Sequence, residues 1–242
     1  MNFISADWDV PDHVHAVTST RTGGVSMAPY DSLNLGDHVG DDIAAVVTNR
    51  KRLRQELHLN NEPSWLMQVH GTVVTPALKY TTEKIVEADG TYTDQPDRVC
   101  VVMTADCLPV ALYNHDKNSI AVVHAGWKGL AAGIIAKGVN ALGAGTISAW
   151  LGPAIGPDCF EVGPEVRDAF LSNLPEHELA FRSSQADKWL ADLYILAKQQ
   201  LATLGVHQVS GGNHCTYTEQ ELFYSFRREQ TTGRMATLVW LD

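Results

Sequence analysis

The chain has 242 residues, 45% of them hydrophobic, a formal net charge of -10 and a pI near 5.4. This acidic balance excludes a broad phosphate-backbone-binding surface, so we expect no nucleic acid partner. No Pro/Ser-rich linker or charge block interrupts the sequence, which predicts a single domain over residues 1–242.

The start lacks a signal-peptide pattern, no apolar run can span a bilayer, and the four cysteines are widely spaced. We therefore expect a soluble, cytoplasmic protein with reduced thiols and no membrane partner, and its oligomeric state stays open.

The predicted secondary structure is richer in strands in the first half of the chain. HVHAVTST predicts a strand, residues 41–59 predict a helix capped by an aspartate, and SWLMQV, VCVVMT, LPVALY and SIAVV predict further short strands. A second helix begins near Trp127, a third runs from about Ala186 to Leu204, and the chain closes on the strand MATLVWL. The apolar face predicted for the first helix is Ile43, Val46, Val47, Leu53 and Leu57. Because strands outnumber regular βαβ alternation, we expect an α+β fold with a mixed or antiparallel sheet and helices covering sheet faces.

Three potential soft-metal ligands each lie in a short apolar run: His70 in WLMQVHG, Cys107 in VVMTADCLPV and His124 in IAVVHAGWKG. Two imidazoles and one thiolate suit a zinc ion and leave a fourth position open, which is typical of a catalytic site. Spacing alone does not bring them together, and the alternative is a buried cysteine with two hydrogen-bonded histidines. Each lies at or just beyond a predicted strand, where loops commonly carry functional groups.

Cationic residues near turns are candidates for holding an anionic group of a substrate. Arg21 precedes the paired glycines of RTGGVS, and Lys128 lies in HAGWKG, where a strand turns into a helix whose N–H groups can receive an anion. Arg50 lies on the first predicted helix. A further group follows the aromatic run LFYSF and contains Arg227, Arg228 and Arg234. The alternatives are a surface hairpin at Arg21, a solvated helix face at Arg50 and a structural ion pair for the group after LFYSF.

Ordered motifs extend over nearly the whole chain. They are RTGGVS (21–26), NLGDHVGDD (34–42), NR (49–50), QVHG (68–71), TADCLPV (104–110), HAGWKG (124–129), GPAIGPDCFEVG (152–163), CT (215–216), and FYSFRR with TGR near the end. Together they resemble the YfiH-like, or laccase-domain, family, also called the polyphenol oxidoreductase laccase family. The resemblance implies a layered α/β/β/α sandwich with mixed β-sheets. It also implies that His70, Cys107 and His124 converge on one zinc-binding catalytic site.

The resemblance further implies an enzyme of purine nucleosides, with phosphorolysis of adenosine, inosine and methylthioadenosine and deamination of adenosine. Zinc would activate water for deamination at C6, whereas phosphorolysis would bring inorganic phosphate, as co-substrate, to C1′ of the ribose. The candidates to hold that phosphate are Arg21, Arg50, Lys128 and Arg227. His38 and Asp106 are candidate proton carriers, and Gln68 is a candidate to hydrogen-bond the base or the ribose.

Three other functions stay open. Cys107 as a thiolate, with His124 or His70 as base, would give a metal-free cysteine hydrolase or amidase. For such an enzyme the resemblance implies editing of cytoplasmic peptidoglycan precursors. Copper at the same ligands would give polyphenol oxidase (laccase) activity, although ten histidines with one His-x-His pair do not support a four-copper enzyme. A zinc site closed by His214 or Cys215 as fourth ligand would indicate a metal-binding interaction protein without turnover.

Overall fold

The computed structural model describes residues 1–78, 85–185 and 187–242. The strands in this part of the chain are β1 (Phe3–Ser5), β2 (Val14–Ser19), β3 (Leu66–Met67), β4 (Val74–Pro76), β5 (Val86–Glu87), β6 (Gly90–Thr93), β7 (Val99–Thr104), β8 (Leu108–Asn114), β9 (Ser119–Ala125), β10 (Ile147–Leu151), β11 (Glu161–Val162), β12 (Phe181–Ser183), β13 (Trp189–Ala191), β14 (Gln208–Gly211) and β15 (Met235–Leu241). The α-helices are α1 (Ile43–Glu56), α2 (Trp127–Ala131), α3 (Ile134–Leu142), α4 (Pro164–Leu171), α5 (Leu193–Thr203) and α6 (Phe226–Glu229). A 3-10 helix, Pro175–Ala180, lies between α4 and β12.

Two large sheets form the centre of the molecule. The four-stranded sheet has the order β1-β2-β15-β7 and is antiparallel throughout. The six-stranded sheet has the order β14-β10-β8-β9-β6-β4 and is mixed, because β14 runs parallel to β10 and β4 runs parallel to β6. Two smaller sheets have the orders β11-β13-β12 and β3-β5. The expectation of mixed sheets is confirmed.

Three apolar clusters separate the layers. Val102 of β7 and Val122 of β9 meet in the cluster between the two large sheets. On the outer face of the six-stranded sheet, Val123 belongs to a cluster that also contains Ile135 of α3. On the outer face of the four-stranded sheet, strand residues pack with Leu53 of α1. This arrangement confirms the α/β/β/α layering, and it explains why β7 and β8 are buried at every position, since sheets covered on both faces expose no side chain.

The predicted strands are confirmed where the apolar run is long. HVHAVTST, VCVVMT, LPVALY, SIAVV and MATLVWL correspond to β2, β7, β8, β9 and β15. SWLMQV supplies only the two residues of β3, because Gln68 contacts β7 through its side chain: Nε2 donates to the Met103 carbonyl at 2.8 Å and Oε1 accepts from the Met103 N–H at 2.7 Å. The predicted strand is therefore shorter than its composition suggests, because Gln68 bonds to β7 through its side chain and not through its backbone.

The helix predicted over residues 41–59 is confirmed, but its predicted apolar face is wrong in part. Asp42 caps α1, and its carboxylate accepts from the Ala44 N–H at 2.9 Å. Ile43 and Val47 are 55% and 61% exposed. The buried stripe consists of Val46, Asn49 and Leu53. A polar residue at the centre of the stripe rotates the helix away from the face that apolar spacing alone selects.

Of the other two helix predictions, the start of the second helix is confirmed and the third helix begins later than expected. The second helix begins at Trp127, as expected, and ends at Ala131, after which Gly133, with φ of 89°, leads into α3. The predicted start of the third helix, Ala186, lies outside the described residues. α5 begins only at Leu193, because the segment just before it forms β13. None of the helices in the described part of the chain is long and apolar enough to cross a bilayer.

Asn49 joins α1 to the loop that precedes it. Its Nδ2 donates to Ser26 Oγ, to the Ser32 carbonyl and to the Asn34 carbonyl, at 2.9, 3.2 and 2.9 Å. Its Oδ1 accepts from the Val25 N–H at 2.8 Å. These four contacts satisfy the side chain fully at a position with no solvent exposure.

We predict that Asn49→Ala lowers the free energy of unfolding by about 3 kcal/mol, because the substitution leaves several buried polar groups unpaired. Urea denaturation followed by circular dichroism measures the effect. Val47→Ala, an exposed change two residues earlier on the same helix, should cost less than about 0.5 kcal/mol. Equal losses in the two variants would contradict this account of α1.

Candidate active site

Cys107 lies in the turn between β7 and β8, where the chain passes from the four-stranded to the six-stranded sheet. Asp106, with φ of 90°, shapes this turn. Its Oδ1 accepts from the Thr216 hydroxyl at 2.6 Å, its Oδ2 accepts from the Arg227 N–H at 2.7 Å, and its carbonyl accepts from the Ile155 N–H at 2.9 Å. Both carboxylate oxygens of Asp106 are therefore occupied in holding the turn that presents Cys107.

His124 lies near the end of β9, and strand register brings it beside Asp89. Gly90 at the start of β6 pairs with Val123, so Asp89 comes next to His124, whose N–H donates to the Asp89 carbonyl at 2.7 Å. The Asp89 carboxylate is fully buried, and its Oδ1 lies 2.8 Å from His124 Nδ1. A carboxylate at Nδ1 fixes the ring and leaves Nε2 to face the site.

The same carboxylate holds the loop that carries His70. It accepts from the backbone N–H groups of Val69, His70 and Gly71 at 3.3, 2.9 and 2.7 Å. His70 itself has φ of 60°, a conformation uncommon for residues other than glycine. Asp89 did not emerge from the sequence analysis. The available signal was a lone acidic residue before the glycine that opens a strand, which is also a common turn pattern.

The three predicted ligands converge. The ligand atoms of His70, Cys107 and His124, called the ligand triad below, all lie within 4.8 Å of one another, and Cys107 Sγ is 3.9 Å from His70 Nε2. A β-carbon added to Gly126 would lie 2.9 Å from His70 Cδ2 and 3.1 Å from Cys107 Sγ, so the site needs glycine there. One thiolate and two imidazoles at these distances can hold a metal ion.

Two residues of the ligand triad, Cys107 and His124, favour their ionised forms in the metal-free protein. Burial opposes ionisation of Cys107, but the positive charge of His124 and hydrogen bonds from both histidines lower the pKa of Cys107 from 9.0 to about 6. Burial likewise disfavours protonated His124, but the Cys107 thiolate and the Asp89 carboxylate raise the pKa of His124 to about 9. The two residues therefore form a thiolate–imidazolium pair near neutral pH.

A cavity of about 270 Å³ opens onto the ligand triad. The further lining residues used below are His38, Gln68, Thr104, Phe226 and Arg234. His38 and Gln68 are two of the predicted substrate-binding residues. Gln68 uses both ends of its amide on the backbone of Met103, so it holds the wall of the cavity in place.

Two of the predicted phosphate-binding arginines lie in ion pairs. Arg21 Nη1 is 2.9 Å from a carboxylate oxygen of Glu229. Arg50 Nη2 is 3.4 Å from a carboxylate oxygen of Asp37, and its guanidinium lies 4.1 Å from the centre of the Trp65 ring. Neither arginine lines the cavity at the ligand triad.

The other two predicted phosphate-binding residues also lie outside this cavity. Lys128 is exposed on α2, with Nζ 5.7 Å from the centre of the Trp127 ring. Arg227 Nη1 donates to the Glu161 carbonyl at 2.9 Å. The cationic side chain that does line the cavity is Arg234, which the sequence analysis grouped with Arg227 without selecting it.

The two residues considered as a fourth ligand are engaged elsewhere. His214 Nδ1 lies 2.9 Å from Glu219 Oε2, and Cys215 Sγ accepts from the Gly156 N–H at 3.2 Å. Neither belongs to the ligand group found among the described residues. The triad therefore provides three protein ligands and leaves a position for a non-protein ligand.

Comparison with known proteins places the chain in a family. The model of the multi-copper polyphenol oxidoreductase laccase family matches residues 15–242, and the chain belongs to that family. It is 51% identical to purine nucleoside phosphorylase YfiH of Escherichia coli (strain K12), over 98% of each chain. It is 47% identical to a purine nucleoside phosphorylase of Haemophilus influenzae, over 100% of each. The crystal structure of Neisseria meningitidis protein NMB0706 superposes with a TM-score of 0.95 at 45% identity, over 100% of both chains, which confirms the fold.

Asp89→Asn tests how much the buried carboxylate contributes to the ligand triad. We predict that Zn²⁺ affinity, measured by competition with a chromophoric chelator, falls about 10- to 100-fold, because an amide cannot accept all the hydrogen bonds that orient His70 and His124. Asp94→Asn, the same change in an exposed residue just after β6, should leave the affinity unchanged. An unaltered Zn²⁺ affinity in Asp89→Asn would show that the triad holds its geometry without this carboxylate.

The metal-free protein should also show an unusual pH dependence of thiol alkylation. We predict that iodoacetamide modifies Cys107 with a half-maximal rate near pH 6, falling below that pH as the thiolate is protonated. Fragment-ion mass spectrometry separates Cys107 from Cys100, which should stay unreactive because burial raises its pKa to about 12. In His124→Gln the half-point should move upward, since the imidazolium charge is lost. A wild-type half-point above pH 8 would contradict the thiolate–imidazolium pair.

Proposed function

We propose that this protein is a purine nucleoside phosphorylase whose nucleoside and phosphate meet in the cavity at the ligand triad. The observation that carries the proposal is the convergence of His70, Cys107 and His124 on one cavity, with Asp89 fixing both histidines. The names of the E. coli and H. influenzae relatives, which the chain matches over 98% and 100% of their lengths, support this substrate class. We propose adenosine, inosine and methylthioadenosine as substrates and zinc as the metal.

In phosphorolysis, an oxygen of inorganic phosphate forms a bond to C1′ of the ribose while the bond from C1′ to N9 breaks. The bonding electron pair leaves with the purine, which takes up a proton, and the products are the free base and ribose 1-phosphate. A zinc ion bound by the triad would supply Lewis acidity for developing negative charge. Phe226, which lines the cavity and is 51% exposed, offers an aromatic face against which a purine can pack. His38 in the same cavity is the proposed proton carrier.

The second proposed reaction at this site is deamination of adenosine. Here the oxygen of water bonds to C6 and the bond from C6 to the amino nitrogen breaks. One water proton leaves with the amino group as ammonia, and the other stays on N1 of the base to give inosine. Three protein ligands with an open fourth position favour such a hydrolysis. Asp106 is a poor proton carrier for it, because its two carboxylate oxygens already accept from Thr216 and Arg227.

A different reaction class is favoured by one observation. The lowered pKa of Cys107 and the raised pKa of His124 give a nucleophile and a proton donor in contact, as in a cysteine hydrolase. This alternative needs no metal, so metal content separates it from the nucleoside proposal. The family name points to copper oxidases, but the described residues bring together one metal-binding group, the ligand triad, whereas several coppers need several such groups.

We predict that metal-quantified protein converts adenosine to adenine only when phosphate is present, as followed by liquid chromatography. Cys107→Ala and His124→Ala should each lower the rate by about 100-fold or more, because both remove a ligand of the site. Cys159→Ala removes a thiol outside the triad and should retain wild-type activity. Phosphate-independent inosine that is lost in the same two variants would establish deamination at the site.

If the wild-type protein holds stoichiometric zinc and yields neither adenine nor inosine, the nucleoside proposal fails. Activity of a metal-free preparation on cell-wall precursor peptides, lost in Cys107→Ala, would then establish the cysteine hydrolase.

A further inference from the structure

Arg234 differs from Arg21, Arg50 and Arg228 in its charge partners. Arg21 and Arg228 pair with Glu229, and Arg50 pairs with Asp37. Within the described ranges, Arg234, like Arg227 outside the cavity, has no carboxylate in an ion pair. Its hydrogen bonds there use Nη1, which donates to the Thr232 and Gly233 carbonyls at 3.0 Å each. Its guanidinium carbon lies 6.0 Å from the centre of the Phe226 ring, and Arg234 lines the cavity at the ligand triad.

The backbone around Arg234 holds the side chain in place. Its N–H donates to Asn34 Oδ1 at 2.9 Å, and its carbonyl accepts from the Leu35 N–H at 3.2 Å. A β-carbon at Gly36 would lie 2.8 Å from Arg234 Cγ, so glycine is needed to make room for the side chain. A guanidinium fixed in this way loses little conformational freedom when it binds a ligand.

Thr104 is a second polar residue that lines the cavity. Thr104 Oγ1, on the last residue of β7, is buried and has no hydrogen-bond partner among the described residues. A buried hydroxyl left unpaired destabilises a protein, so a water or a ligand bound next to Thr104 would complete its hydrogen bonding. His38 lines the same cavity, and its Nδ1 lies 3.5 Å from Asp37 Oδ1, which leaves Nε2 available.

We propose that Arg234, His38 and Thr104 form the subsite that binds phosphate beside the ligand triad, an inference that rests on the proposed phosphorolysis. A planar guanidinium matches two oxygens of a phosphate, and a hydroxyl and an imidazole can bind the remaining oxygens. This assignment replaces the four cations selected from the sequence, which lie outside the cavity. The anion would reach the nucleoside from the side of the cavity that Arg234 and Thr104 line.

The first test measures phosphorolysis of adenosine by Arg234→Gln. The KM for phosphate should rise about 10- to 100-fold, the range expected for loss of a charged hydrogen bond, while the KM for adenosine changes less than about 2-fold. Thr104→Val, close in shape, should raise the KM for phosphate by a smaller factor, about 3- to 10-fold. Arg182→Gln, which removes an exposed arginine paired with Asp158, is the matched control and should leave both constants unchanged.

Equilibrium dialysis with ³²P-labelled phosphate tests binding without turnover. Wild type and Arg182→Gln should bind phosphate, and Arg234→Gln should lose most of that binding, with circular dichroism verifying that each variant is folded. If Arg234→Gln does not fold, the test uses two other variants, Arg234→Lys and Thr104→Val. Arg234→Lys keeps the charge but not the planar guanidinium. Both should still weaken phosphate binding.

The outcomes separate the subsite from the reaction. Wild-type phosphorolysis with an unchanged KM for phosphate in Arg234→Gln and Thr104→Val would overturn the subsite and leave the proposed function standing. Equal increases in the KM for phosphate and for adenosine would assign Arg234 a structural role and also overturn it. Phosphate binding that depends on Arg234 in a protein without phosphorolysis would support the anion site and overturn the proposed reaction.

Discussion

The carboxylate of Asp89 is the interaction on which the candidate site depends. It is fully buried, and it joins the end of β9, the start of β6 and the loop of residues 69–71. Burial opposes its charge, but the hydrogen bonds from His124 and from the backbone of Gly71 and Val69 hold the pKa of Asp89 below its ordinary value. Since a buried carboxylate is stable only while its donors stay in place, the two histidines are oriented before any ligand arrives.

The layered architecture determines where the third ligand joins them. β7 belongs to one large sheet and β8 to the other, so the turn between them crosses the layers and carries Cys107 to the end of β9. Asp106 fixes this turn, and Gly126 leaves the space that the thiol and the His70 ring occupy. The three ligands come from separate segments of the chain, and the sheet register brings them within reach of one another.

The sequence predicts the long central strands and the first helix well, because continuous apolar runs and an aspartate cap are local signals. It misplaces the buried face of α1, because the side chain of Asn49 finds its partners in another loop. The sequence also does not reveal which charged residues form ion pairs, because the partners can be far apart in the chain. Arg21, for example, pairs with Glu229 near the other end of the chain. The same limit hides Asp89, whose role depends on strand register and not on a motif. Family resemblance, and not spacing, predicts that the triad converges, and the geometry agrees.

An acidic chain offers most of its arginines a carboxylate, so an arginine without one is informative. Burial opposes the charge of Arg234 and lowers its pKa, whereas the negative charges of Cys107 and Asp106 favour it. Asp106 already accepts two hydrogen bonds, and a metal ion on the ligand triad would compensate the Cys107 thiolate. Under the proposed function, the charge of Arg234 is then left for an external anion, and metal binding at the triad strengthens phosphate binding beside it. Under this proposal, Arg234 and the ligands that the fold brings together act as one site.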